Sequence, residues 1–541
     1  MVPFFAVQRF VLLCNAACST AIFLFVVALP VASAQYLSQP AALLAEDDTD
    51  EFDPGDDFSA TIDESEEEGF DTEPVGEPPA DKPPADVPSA DKPPAKKPPA
   101  ANPCTTAYKS VFYDNDFSYL RDPEYSGHCF GDCWKLMPVG NCGEYGTLDV
   151  GGQARLRYHH EVGMGQDVSG PGVRRFEDTE HDIMLSRVRL YSNWKANDCT
   201  RVYVEGIFAD VTDDDGTYLP RPIDRNFGDF LNAFVDYSPQ EGTTLRVGRQ
   251  ELLYGAERLI SPLDWANTRR TFEGVKLMLA EGDWKVDGFY THYVPVIPNE
   301  LDHADYEQPF YGVYSTYAGW ENKTLDLFYI GYDNNHDDAP IVSDFSLDTI
   351  GSRLFGTHGD WLYEMEGGYQ FGRQSGLGLD QDAGYGTAGI GRKYPKHSWT
   401  PTLWFYYDYA SGNVPGGDFN RFNQLYPLAH KYFGFIDAVQ RSNIESPNVL
   451  LTMKPTKKWD FLMWYWYFMA NSGTDVVPSI GGTPIESLSR THFGDELDLL
   501  AKYAISPRSS VLFGYSHFWR GDKILAPKDA DFFYTQWEMN F

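Results

Sequence analysis

From Thr147 to Phe541 apolar and polar residues alternate in short runs, each closed by turn-forming residues. In the last run Phe533, Thr535, Trp537, Met539 and Phe541 share one face, and Tyr534, Gln536, Glu538 and Asn540 share the other. A period of two predicts β-strands whose two faces meet different solvents. Lipid outside and water inside satisfy both faces. The alternation predicts eighteen arms, beginning at 147–162, 182–195, 200–211, 229–238 and 243–252 and ending at 492–504, 508–519 and 531–541. Short turns such as Ala196-Asn197-Asp198, Gln240-Glu241-Gly242 and Pro455-Thr456-Lys457 alternate with long connections at 212–228, 253–270, 334–345, 412–446 and 471–491. Short turns on one rim and long loops on the other are the arrangement of outer-membrane barrels, and eighteen strands leave an aqueous lumen. The expected fold is therefore all-β: a transmembrane antiparallel β-barrel of about 18 strands over 147–541.

The two faces also differ in chemistry. In the first arm Leu148, Val150, Ala154, Leu156 and Tyr158 oppose Asp149, Gln153, Arg155, Arg157, His159 and Glu161. In the second, Met184, Val188, Leu190 and Trp194 oppose Arg187, Arg189, Asn193 and Lys195, so neighbouring arms put four arginines on one wall. A ring of fixed charge lining a lumen selects what passes, which makes Arg155, Arg157, Arg187 and Arg189 candidates for an anion pathway. The competing reading is that each is paired with a carboxylate such as Glu205, Asp236 or Glu364 and braces the wall. In the eleventh arm Trp361, Tyr363, Met365, Tyr369 and Phe371 oppose Glu364, Glu366 and Gln370.

The first 146 residues follow different rules. Arg9, the apolar run Ala21–Leu29 and the small residues Val31-Ala32-Ser33-Ala34 read as an export signal over 1–34. Residues 35–103 read as a disordered acidic and Pro-rich tether, since 46–103 holds 19 acids and 4 lysines with few large apolar residues. Such a tether is a spacer or a contact for a periplasmic or cell-wall partner. The segment 104–146 carries Cys104, Cys129, Cys133 and Cys142, and in an oxidising compartment two disulfides among them are expected. A metal site using Cys129, Cys133 and His128 is the alternative, but paired zinc-finger spacing is missing. Cys199 is left over in a hairpin turn.

A formal net charge of −36 argues against a nucleic-acid partner. Enzyme motifs are weak. Gly384 to Gly389 fits G-x-G-x-x-G but lies in a candidate strand with no βαβ context, and His159-His160-Glu161 lacks metalloprotease spacing. Asp210 to Gly216 has the acids of a calcium loop without the required terminal ligands. No catalytic residue, cofactor or metal ligand is expected.

Three runs carry a resemblance: 247–277 (VGRQELLYGAERLISPLDWANTRRTFEGVKL), 145–160 (YGTLDVGGQARLRYHH) and 422–444 (FNQLYPLAHKYFGFIDAVQRSNI). The chain resembles the alginate-export family of outer-membrane proteins over 147–541. The resemblance implies an eighteen-stranded barrel in the outer membrane of a Gram-negative-type bacterium, with a cationic, loop-gated pore for an anionic polyuronate. It places Arg249, Arg258, Arg269, Arg270 and Lys276 from the first run, and His430, Asp437, Arg441 and Asn443 from the last, in or near the constriction. The implied partners are outer-membrane lipid and an anionic saccharide or small anionic solute. A general or uptake porin is the alternative within this class. A secreted carbohydrate-active enzyme or lectin using Glu364 and Glu366 is the alternative from another.

Overall fold

The structure, a computed structural model, describes residues 103–541 apart from 124, 166, 168–174, 214–215, 337–343, 429 and 480–483. The expected export signal and nearly all of the expected tether lie outside the described residues. No helix among the described residues is long and apolar enough to cross a membrane.

Eighteen strands form the barrel. The first nine are β1 (Thr147–Val162), β2 (Glu180–Asn197), β3 (Thr200–Asp213), β4 (Asn226–Gln240), β5 (Thr243–Gln250), β6 (Thr271–Glu281), β7 (Trp284–Val294), β8 (Pro309–Trp320) and β9 (Lys323–Asn334). The rest are β10 (Phe345–His358), β11 (Trp361–Gln374), β12 (Leu379–Lys393), β13 (Thr402–Ala410), β14 (Ile444–Thr456), β15 (Trp459–Met469), β16 (His492–Ser506), β17 (Ser509–Arg520) and β18 (Ala530–Asn540). Each pairs antiparallel with the next, and β18 closes on β1 from Asp531↔Val162 to Asn540↔Gln153. Closure removes the free edges that an open sheet would expose to lipid. These strands fall on the eighteen arms the alternation predicts. The largest shift is at β12, which starts four residues early because Leu379 and Gln381 already pair with Gln374 and Gly372.

The alternation sets the solvents as expected. Leu156, Met184, Val188, Phe208, Val275, Met365, Phe405 and Phe533 are exposed on the outer wall, while Gln153, Arg155, Arg157, Arg187 and Arg189 are buried inside. A one-residue slip of any strand would exchange the two sets, so lipid and lumen together fix the register.

The lumen is filled. The long connections 251–270 and 421–443 fold inward from the long-loop rim and pair with each other: Ser261 N–H donates to the Tyr426 carbonyl (2.8 Å), Tyr426 N–H to Leu259 (3.0 Å) and Leu428 N–H to Glu257 (2.7 Å). Trp265, Tyr426, Phe433 and Phe435 from these loops pack in one cluster with the wall residues Phe272, Phe310, Trp466 and Phe518.

The segment 104–146 enters the opposite mouth, at the rim of short turns. Val111, Phe112 and Tyr113 pack on Tyr191, Tyr203 and Phe234 of β2, β3 and β4. Asp132 binds Arg508 in the turn after β16 (2.7 Å), and Lys135 Nζ donates to the Val150 carbonyl (2.6 Å) and the Tyr191 hydroxyl (3.0 Å). Of the two expected disulfides one is formed, joining Cys104 to Cys129. Cys133 and Cys142 lie exposed outside it, as does Cys199 in the β2–β3 turn. One bridge suffices here because barrel contacts, rather than further crosslinks, hold the rest of the segment.

Candidate pore constriction

The arginines of β1 and β2 point inward and meet the 251–270 loop. Arg155 donates to the carbonyls of Asp264 (2.7 Å), Trp265 (2.9 Å) and Ala266 (3.0 Å). Arg187 donates to the Asp264 and Ala266 carbonyls (2.8 and 3.1 Å) and to the Asp264 carboxylate (2.8 Å). Arg157 lies over Trp265, 3.3 Å from the ring centroid, and donates to its carbonyl. Arg189 turns to Glu205 (2.7 Å). Three adjacent guanidinium groups thus clasp one loop, largely through its backbone oxygens, while the fourth is held by the wall.

The other predicted residues divide by place. Arg258 is gripped by both Glu364 (2.6 and 3.0 Å) and Glu366 (2.8 Å) of β11 and lies over the Tyr432 ring. Arg353 of β10 shares Glu364 at 2.7 Å. Arg269 pairs with Glu251 and Asp264, and Arg270 donates to the Pro427 carbonyl (3.2 Å) above the Tyr426 ring. Arg441 binds Thr387 (3.0 Å) and Asp408 (3.1 Å), while Asn443 donates to the Val476 carbonyl (2.9 Å). Lys276 meets Asp287 at 2.8 Å inside the wall. Arg249 does not join them. It shares the face of β5 that carries Val247 and donates to the carbonyls of Asp302 (2.8 Å) and Phe230 (3.1 Å), with Glu273 of β6, its cross-strand neighbour, at 3.4 Å. The positive φ of the preceding Gly248 marks a local irregularity there.

The 421–443 loop has its own anchors. Ile436 N–H donates to Glu496 (2.7 Å) and Phe435 N–H to Asp498 (3.3 Å), both on β16, and Arg175 donates to the Ile436 carbonyl (2.5 Å). His430 stacks between Trp265 (4.9 Å) and Phe435 (4.6 Å), with Nδ1 2.5 Å from Asp437. Burial pushes the Asp437 carboxyl up to about 8, against the pull of Arg175 and Arg221. Burial, with Arg157, Arg221 and Arg175 nearby, holds His430 well below its ordinary value. Near neutral pH the pair is a protonated carboxyl donating to a neutral imidazole.

Among the described residues of these two loops six non-glycines take left-handed backbone: Glu257, Leu263, Arg269, Leu425, Asp437 and Asn443. That conformation costs each residue about 1–2 kcal/mol. The side-chain ties must offset the strain, which leaves the inserted state sensitive to losing any of them.

Sequence reasoning missed Arg175, Arg246, Arg353 and Trp265. Arg246 and Arg353 follow the inward alternation of β5 and β10 and could have been found by it; Arg175 and Trp265 lie in connections, where no periodicity points inward. It also missed that Glu364 and Glu366, the pair weighed for glycosidase work, are both occupied by Arg258.

A closed eighteen-stranded barrel with a lipid-facing apolar wall, an interior of paired arginines and carboxylates, and inserted loops defines an outer-membrane channel, and the arginine wall of β1 and β2 suits it to anionic solutes. The chain belongs to the Alginate export family, which it matches over residues 147–534. Its fold is similar to those of Pseudomonas aeruginosa OccD3 (TM-score 0.50, 10% identity, 72% of this chain and 91% of that one) and OccK8 (0.50, 12%, 73% and 98%). Acinetobacter baumannii OccAB2 is similar too (0.51, 11%, 72% and 98%). No curated protein sequence matches significantly.

Proposed function

We propose that the channel conducts a carboxylated polysaccharide, a polyuronate, along the arginine wall of β1 and β2 once the inserted loops move. The observation that carries this reading is the kind of partner Arg155, Arg157 and Arg187 hold: carbonyls of the 264–266 stretch, offered by a strained loop. A carboxylate brings an opposite charge and two oxygens that a guanidinium grips bidentately, which a neutral carbonyl cannot offer, so a uronate chain can replace those carbonyls one residue at a time. Paired acids such as Glu205 and Asp264 beside the arginines keep the sites from becoming traps.

The test is single-channel conductance of the refolded protein in a planar bilayer, with ion selectivity and added oligogalacturonate. Anion-selective openings blocked by the oligogalacturonate, but not by neutral maltotriose, are expected. Openings without block would make the protein a general porin. Cation selectivity would remove the arginine wall from the pathway.

A further inference from the structure

The turn Ser110–Asp114 of the N-terminal segment occupies the mouth at the rim of short turns, and its partners are pathway cations. Arg269 donates to the Ser110 carbonyl (3.0 Å), and Arg201 donates to the Tyr113 carbonyl (2.7 Å). Phe112 lies under Arg189, 3.9 Å from ring centroid to guanidinium, and Tyr113 lies under Arg246 at 4.3 Å. The Tyr113 hydroxyl donates to the Glu251 carbonyl (2.7 Å), tying the turn to the root of the 251–270 loop. Burial raises the Asp114 carboxyl above its ordinary value, and the charges of Arg246, Arg201 and Lys276 offset part of that rise.

A five-residue turn thus presents two aromatic faces and two carbonyl oxygens to four arginines, with the Asp114 carboxyl group beside them. A uronate residue presents the same groups: a ring face, hydroxyl and ring oxygens, and a carboxylate. We infer that the basin formed by Arg189, Arg201, Arg246, Arg269 and Lys276 is the channel's binding site for carboxylated sugar at the short-turn mouth, and that Ser110–Asp114 is a tethered competitor for it. This rests on the polyuronate reading and adds where the chain engages and what excludes it. Occupancy of the basin by substrate requires the turn to withdraw, and because the turn contacts Glu251, withdrawal also loosens the 251–270 loop. Substrate at this mouth and closure by the N-terminal segment are then mutually exclusive, so each weakens the other by the same factor.

The experiment compares full-length mature protein with the variants Asp114→Asn and Phe112→Ala/Tyr113→Ala in planar bilayers, adding trigalacturonate or maltotriose from the short-turn side only. Loss of one charge-assisted contact set should raise open probability about tenfold and lower the trigalacturonate concentration for half-maximal block by a similar factor. Maltotriose should show no such change. Heat-modifiable gel migration confirms folding of each variant, and the near-isosteric Asp114→Asn keeps the test valid if the double alanine variant fails it. Anion-selective channels whose open probability and trigalacturonate block match the unaltered protein would overturn the inference while leaving the polyuronate reading in place. So would easier opening with unchanged block, since the turn would then be a stopper without a competitor's role. A variant and parent that both lack anion selectivity would mean that the underlying reading fails first.

Discussion

Replacing Arg258 by alanine is the sharpest perturbation of the inserted state. Its guanidinium is the only described group bonded at once to Glu364 and Glu366 at 3.0 Å or less, and it reaches them from the 251–270 loop. Removing one partner of a buried ion pair costs about 3–5 kcal/mol, mostly because the other charge is left unpaired. Arg353 stays 2.7 Å from Glu364 and 3.7 Å from Glu366, which argues for the low end. About 3 kcal/mol is a factor of roughly 150 in the balance between seated and released loop. Channel recordings of Arg258→Ala should therefore show longer and more frequent openings at unchanged insertion efficiency. Adding Glu366→Gln removes the carboxylate that Arg353 does not reach closely, and the double variant should return part of the way toward closed. Closed-state behaviour of Arg258→Ala like that of the unaltered protein would refute the idea that this clasp holds the loop.

Other consequences concern pH, the disulfide and the chain ahead of the barrel. The Asp437 carboxyl is raised from 3.8 to about 8, so the folded loop holds a proton that the released loop does not. Its stabilisation is complete below 3.8 and is lost as pH rises through about 8. Conductance should increase between pH 6 and 9, and Asp437→Asn should flatten that profile; a profile left unchanged by the substitution would assign the pH response elsewhere. Reducing Cys104–Cys129 should raise hydrogen exchange within 104–146 and leave the barrel strands protected, as mass spectrometry of peptides can verify. Deleting residues 35–103 should leave insertion and conductance intact, and failed insertion would show that this stretch is more than a spacer.

The barrel was legible because its signal is local and repeated. Each strand writes the difference between lipid and lumen into every second residue, as Leu156 and Met184 against Arg155 and Arg187 show. That alternation determined the strand number, the inward arginines of β1 and β2 and the alternation of turn lengths between the rims. Resemblance, not periodicity, pointed to Arg258, Arg269, Arg270 and Arg441 in the connections and nearby strands. It also pointed to Arg249, which the β5 pleat sets on the same face as Val247.

Only the tertiary structure decided what fills the lumen. Loops 251–270 and 421–443 and the turn Ser110–Asp114 obey no period, and their partners lie far off in sequence: Arg258 reaches Glu364 across 106 residues, and Arg269 reaches Ser110 across 159. A backbone carbonyl is the same group in every residue, so no sequence signal marks Trp265 or Tyr113 as the oxygen an arginine will take. Wall chemistry is fixed by a rule each strand carries alone. Closure of the pore depends on contacts that exist only once the whole ring has formed.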